Sequence, residues 1–317
     1  MQNKKISFFT EMGWSGKTPR NLPNMRIEYA WFNVLDADHH NILTLQQLPD
    51  NYYDLGIMII PKEVKYYLNF DIIGQLQRVC KKYTFMQEGP SWFFQDLPLQ
   101  ESLWFYNIMA NADFVLAHND CDKEYYEGLL DKQCFINPTL MIHDLIEDIP
   151  NVERNNVIIG GNLVRWYGGF NSLMIALEAN NEVWAPKMGR MDESELQLDD
   201  LNHLPYLEWD QWIKKLNTFK YAVHMIPYTI GGSFSLNCAY LGIPCIGNIN
   251  SNTQRLCFPD LSVEPHNIAK AKKLMQKLCK DEEFYVYCSN KAKQLYTENF
   301  SETTYRKVWS DIIKQVL

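Results

Sequence analysis

Two adjacent glycines, Gly231 and Gly232, open the run SFSLNCAYL within YTIGGSFSLNCAYLGIPCIG, the segment from Tyr228 to Gly247. Glycine admits backbone conformations that bring N–H groups close to an anion. The helix start that follows presents unpaired amides and the positive end of its dipole. Gly242-Ile243-Pro244 then stops the helix, and an apolar strand follows. The pattern is a loop, helix and strand that fit a diphosphate, with Gly231, Gly232, Ser233 and Phe234 against the phosphates and the group they carry. The same glycine pair also packs a helix on a sheet in α/β proteins that bind no phosphate.

The other candidates for chemistry lie at the ends of apolar strands. Glu88 stands between the strand Tyr83–Gln87 and Gly89-Pro90, at the carboxyl edge of a parallel sheet, where α/β enzymes place reactive groups. A carboxylate there takes a proton from an acceptor hydroxyl or stabilises an oxocarbenium-like centre; capping the next helix is the competing role. Glu28 falls in the first turns of a helix opened by Asn24, so it serves a substrate or the helix dipole. His118 follows a further strand and hydrogen-bonds either an acceptor or the backbone.

Two motifs are decoys. Gly13-Trp14-Ser15-Gly16-Lys17-Thr18 ends like a P-loop, but the position of the P-loop's first glycine is Glu11, and Pro19 and Pro23 delay the helix to about Met25. His39 and His40 are adjacent and point apart without a supporting carboxylate pattern, so no metal is expected.

With 317 residues, the chain exceeds the roughly 150-residue domain, which favours two domains. The net charge of −8 argues against a broadly basic, nucleic-acid-coating surface, although basic residues gather at Lys17–Arg26 and Arg78–Lys82. The eight cysteines form no C-x-x-C and no zinc spacing, which reads as reduced thiols in the cytoplasm. No apolar segment is long enough for a signal peptide or a membrane span, so a membrane partner is not expected.

Strand-like and helix-length segments alternate twice, the pattern of two α/β, Rossmann-like domains with parallel sheets. Strands are expected at Lys5–Phe9, Leu55–Ile60, Tyr83–Gln87, Phe114–Ala117 and Cys134–Asn137, with helices near Arg26–Leu35, Asp71–Lys81, Gln100–Met109 and Lys123–Leu130. A polar linker from His143 to Asn156 separates residues 1–145 from a second domain at 151–300. Two such halves suggest a cleft in which a nucleotide-type donor and its acceptor meet.

The second half resembles the nucleotide-sugar domain of retaining GT-B glycosyltransferases. The segments that carry the resemblance are Ile158–Gly169 (IIGGNLVRWYGG), Tyr228–Leu236 and Asn237–Pro244. The family's Glu-x7-Glu pair falls on Thr229 and Asn237, and its diphosphate-binding Arg and Lys fall on Asn162 and Tyr167, with Arg165 between them. The resemblance implies a metal-independent enzyme without a resident cofactor, using a nucleotide sugar, most simply a UDP-sugar. Gly13, Gly16, Arg165, Gly231, Gly232, Ser233, Phe234 and Asn237 would bind the donor, and the helix at 303–317 would return to the first domain. The first half resembles the α-glucosyltransferases of T-even-type bacteriophages through Ile27-Glu28-Tyr29-Ala30-Trp31-Phe32, Gln87-Glu88 and Ala112–Asp120. That resemblance implies Glu28, Glu88 and His118 as the catalytic group and 5-hydroxymethylcytosine in double-stranded phage DNA as acceptor. A glycan acceptor, and a protein that binds nucleotide sugars without turnover, are the alternatives.

Overall fold

The computed structural model describes residues 4–11, 15–23, 27–61, 63–87, 89–144, 146, 149–164, 167–187 and 191–317, with the backbone alone for 92, 94 and 95. It divides into two compact units: Met1–Arg20, Arg26–Pro138 and Glu302–Leu317; and Asn21–Met25 with Thr139–Ser301.

The first unit runs β1 (Ile6–Thr10), β2 (Ser15–Gly16), α1 (Ile27–Val34), β3 (Asp38–Asn41), β4 (Tyr53–Ile60), α2 (Ile72–Val79), β5 (Cys80–Gln87), α3 (Leu99–Asn111), β6 (Phe114–Ala117), α4 (Asp120–Leu130) and β7 (Cys134–Ile136). Its sheet has the order β2-β3-β1-β4-β5-β6-β7, parallel except for β2. All five residues of β1 are buried, as expected of strands covered on both faces.

The histidine pair is the main departure from the sequence reading here. Asp38–Asn41 is an internal strand beside β1, and both imidazoles are buried. Thr10 Oγ1 shares a 2.6 Å hydrogen bond with His39 Nε2, whose Nδ1 has no hydrogen-bond partner among the described residues, while Tyr53 Oη donates to Asp38 Oδ2 at 2.8 Å and accepts from His40 Nε2 at 2.7 Å. Ser15–Gly16 pairs antiparallel with His40 and His39, and Lys17 ion-pairs with Asp36 and Asp38 at 3.2 and 3.3 Å. Gly16 therefore ends a short β-strand and Lys17-Thr18 follow it without starting a helix; the next helix begins only at Ile27. The helix expected over Asp71–Lys81 ends at Val79, where Cys80 turns extended and opens β5.

The second unit runs β8 (Asn155–Ile159), α5 (Gly169–Ala176), β9 (Val183–Pro186), β10 (Asn202–Leu204), α6 (Trp209–Leu216), β11 (Phe219–His224), α7 (Ser233–Leu241), β12 (Cys245–Asn248), α8 (Asn252–Cys257), β13 (Ser262–Val263), α9 (Ile268–Lys280) and α10 (Glu282–Phe300). The sheet order β10-β9-β8-β11-β12-β13 is parallel throughout. It reverses direction between β8 and β11, and in doubly wound sheets ligands bind outside the carboxyl ends of strands at this switch point.

The last helix, α11 (Glu302–Val316), groups with the first unit. Its buried Tyr305 Oη and Trp309 Nε1 both donate to Asn137 Oδ1, at 2.8 and 2.9 Å. Asn137→Leu leaves two buried donors without an acceptor, so urea unfolding should show a loss of about 2–4 kcal/mol. An unchanged midpoint and slope would show that these bonds contribute nothing net.

Candidate functional site

The glycine loop of the second unit lies at that switch point. Gly232 is the N-cap of α7 at φ +93°, a left-handed conformation that suits glycine. A Cβ there would stand 2.1 Å from Thr253 Oγ1 and 2.3 Å from Ser251 Oγ. The first bonded amide of the helix is Leu236 N–H, to Gly232 O at 3.0 Å, so the N–H groups of Ser233, Phe234 and Ser235 have no acceptor within the helix. No acidic side chain occupies this first turn to compete for an anion.

The loop is held from behind by α8. Thr253 Oγ1 donates to Gly232 O at 2.6 Å, Thr253 N–H to Gly231 O at 3.2 Å, and Asn252 N–H to Ile230 O at 3.3 Å. Asn248, at the end of β12, donates through Nδ2 to Ile226 O at 2.8 Å and Tyr228 O at 3.3 Å. Gln254 Nε2 donates to Cys245 O at 2.8 Å. These residues are polar yet buried; the Asn248 and Thr253 side chains supply hydrogen bonds that the irregular backbone of the loop would otherwise lack, and Gln254 bonds the start of β12. The sequence reading passed over them. The signal was the polar run Asn248 to Gln254 directly after an apolar strand.

Beside the start of α7 is a pocket of about 230 Å³ whose lining includes Gly160, Lys187, Trp212, Ser233, Phe234 and Asn237, with Pro186 and Tyr206. That is the liquid volume of roughly seven or eight waters, enough for one ring. Phe234 and Trp212 lie 6.4 Å apart, and Asn237 is one helical turn beyond Ser233. Gly231, Gly232, Ser233, Phe234 and Asn237 are thus brought together at one end of the sheet. Gly13 and Arg165 lie outside the described residues, and Gly16 belongs to the first unit as part of β2, at φ +92°.

His224 closes the floor behind Phe234. It ends β11, packs edge-on to the Phe234 ring at 5.3 Å, and is covered by Gly160, where a Cβ would stand 2.4 Å from the imidazole. Its Nε2 has no hydrogen-bond partner among the described residues, and burial lowers its pKa to about 4. His39 is likewise lowered to about 4, first by burial and then by His40. Both fold as neutral imidazoles, whereas the unfolded chain protonates near pH 6.5. Stability is therefore intact above about pH 6.5 and falls between there and about pH 4, by roughly 3 kcal/mol for each histidine. Urea unfolding across that window should show the decline, and His224→Phe should remove one share of it. A flat profile would contradict the assignment.

In the first unit, His118 follows β6 and its Nε2–H donates to Gln87 O at 2.8 Å, so that Nδ1 is the ring nitrogen not engaged by that bond. The imidazole packs on Trp31, with centroids 5.7 Å apart. Glu28 lies one turn before Trp31 on α1 and is partly buried. Glu88 lies outside the described residues; its neighbour Gln87 is buried and accepts from Tyr126 Oη at 2.6 Å. The structure thus joins His118 to the end of β5 and to the Glu28 face of α1. In the basic stretch Lys17–Arg26, Lys17 is paired with Asp36 and Asp38 and Arg20 with Glu302 at 2.8 Å, and Lys65 pairs with Glu63 at 3.5 Å.

No protein-family model and no curated protein matches the chain in sequence. Solved structures match in fold. TarM of S. aureus aligns with TM-score 0.61 and 13% identity over 85% of this chain, which spans 57% of the TarM chain. HepE of Anabaena in complex with UDP and glucose aligns at 0.69 and 11% over 99% of this chain and 100% of its own. An alpha-glucosyltransferase in complex with UDP and a 13-mer DNA containing a central A:G mismatch aligns at 0.63 and 12%, over 99% and 100%. These neighbours are GT-B glycosyltransferases, and the chain, with its two parallel-sheet units, has the GT-B fold.

Proposed function

We propose that the chain is a glycosyltransferase that moves a sugar from a nucleotide-sugar donor, a UDP-sugar, to an acceptor hydroxyl. The observation that carries this reading is the Gly232 cap. It starts α7, whose first-turn amides have no acceptor within the helix, beside a ring-sized pocket at the switch point of a GT-B sheet. The diphosphate rests on the amides of Ser233 and Phe234 and the positive end of α7, with Arg165 adding charge and Gly13 and Gly16 completing the donor contacts. This arrangement stabilises a leaving diphosphate through main-chain dipoles, so the transfer proceeds without a metal. In the step itself the C1–O bond to the diphosphate breaks and a C1–O bond to the acceptor forms. The hydroxyl proton passes to Glu88, His118 orients the acceptor through Nδ1, and Glu28 supports the positive charge developing at C1. The family resemblance favours retention at C1.

The acceptor we propose is 5-hydroxymethylcytosine in DNA. Its support is the similarity of the Glu28, Glu88 and His118 segments to the phage enzymes and the full-length likeness to a DNA-bound alpha-glucosyltransferase. A glycan acceptor is the second reading. It is favoured by the net charge of −8 and by the acidic partners already held by Lys17, Arg20 and Lys65. Mass spectrometry of nucleosides from hydroxymethylated DNA, incubated with the protein and a panel of nucleotide sugars, separates the two. A hexose- or pentose-sized increment on the modified base supports the DNA reading, and an unchanged nucleoside beside transfer to a free glycan supports the other.

A further inference from the structure

The second unit holds a larger pocket, of about 930 Å³, which the donor reading does not use. It lies at the opposite edge of the sheet: Arg154 immediately precedes β8, Lys220 is the second residue of β11, and Tyr240 and Leu241 end α7. One face of α10 forms its wall, with Tyr285, Ser289, Lys293 and Tyr296 recurring every three or four residues.

Its charge is one-sided. No carboxylate among the described residues lines it, although the chain as a whole carries −8. The Arg154 guanidinium donates only to neutral oxygens: Asn217 Oδ1 and Leu241 O at 2.7 Å, Gly242 O at 3.1 Å and Asn217 O at 3.2 Å. It thereby offsets the negative end of α7, which would otherwise repel an anion. Lys293 ion-pairs with no described carboxylate, and its stem lies against Gly242. Lys220 reaches only the exposed Glu282, at 3.8 Å, and lies over the Tyr285 ring at 5.2 Å. Aromatic surface is supplied by Tyr240 and Tyr296, whose rings meet edge to face at 5.4 Å, and by His143, which packs on Tyr240 at 4.3 Å and shares a 2.6 Å hydrogen bond with Tyr296 Oη.

Cations interleaved with tyrosine rings, with no carboxylate among the described lining residues, match a ligand with phosphates and a ring. The volume lies in the roughly 300–1,000 Å³ range of small-molecule sites. We infer that this pocket binds a phosphorylated ring compound of nucleotide size, with its phosphates toward Arg154, Lys220 and Lys293 and its ring on the tyrosines. The inference does not depend on the proposed transferase activity.

The probe is ATP, titrated by calorimetry into the full chain and into Phe234→Ala, which alters the donor pocket. Binding to one site in both proteins is expected. Lys220→Ala with Lys293→Ala should weaken it at least about 10-fold, while Lys293→Arg should retain it. Lys220→Gln with Lys293→Gln serves as a second charge-neutral variant, with circular dichroism reporting its fold. Inorganic pyrophosphate, which lacks the ring, should bind more weakly than ATP. Failure of ATP to bind would overturn the inference, as would binding that survives both double variants. Pyrophosphate binding as tight as ATP would remove the tyrosines from the site. ATP binding lost in Phe234→Ala but not in the lysine variants would move the ligand to the donor pocket, against this inference but not against the proposed function.

Discussion

Gly232→Val should weaken nucleotide-sugar binding by about 100-fold or more, since it displaces together the α7 amides proposed to hold the diphosphate. The cause is local. Any side chain at φ +93° is strained, and a Cβ would stand 2.1 Å from Thr253 Oγ1, the group that fixes Gly232 O. The loop must shift, and the amides of Ser233 and Phe234 shift with it. The unfolding free energy should fall by about 1–3 kcal/mol, as expected for one strained residue, so affinity is read where the variant remains folded. Calorimetry with UDP beside a urea melt separates the two effects. Normal UDP affinity in the valine variant would remove the loop from the donor site.

Glu88→Gln should lower kcat by about 10²–10⁴-fold and leave donor affinity nearly unchanged, the signature of a group that acts on the proton in the transition state. The amide has the same size but cannot accept the hydroxyl proton. The adjoining Gln87 is anchored through both its carbonyl, by His118, and its side chain, by Tyr126. The substitution therefore leaves those two anchors in place. Steady-state kinetics with nucleotide release as readout tests it. An equal rise in KM at constant kcat would make Glu88 a binding residue instead.

The parts of the fold legible in the sequence were those in which composition and position agree. The buried run Phe114–Ala117 and the helix closed by Gly242-Ile243-Pro244 follow directly from apolar content, glycine and proline. The strand Asp38–Asn41 was not legible, because Asp-His-His-Asn has no apolar pattern. Inside the sheet, three of its four imidazole nitrogens are hydrogen-bonded by Thr10, Ser15 and Tyr53, all distant in sequence. Helix α8 was missed for the same reason. Asn252, Thr253 and Gln254 look like a solvated loop, yet all three are buried, and their bonds run to backbone that only the tertiary fold brings near. At the candidate site the glycines could be read from type and order alone. The pocket walls at Pro186, Tyr206 and Trp212 could not, since they come from three separate elements.

The central claim is that this GT-B chain uses a nucleotide sugar. Its most direct test is release of nucleoside diphosphate from a panel of nucleotide sugars, in the presence of EDTA and of both DNA and glycan acceptors. The account predicts turnover of at least one donor, undiminished by EDTA and lost in Gly232→Val. A protein that neither binds nor turns over any donor in the panel would contradict it.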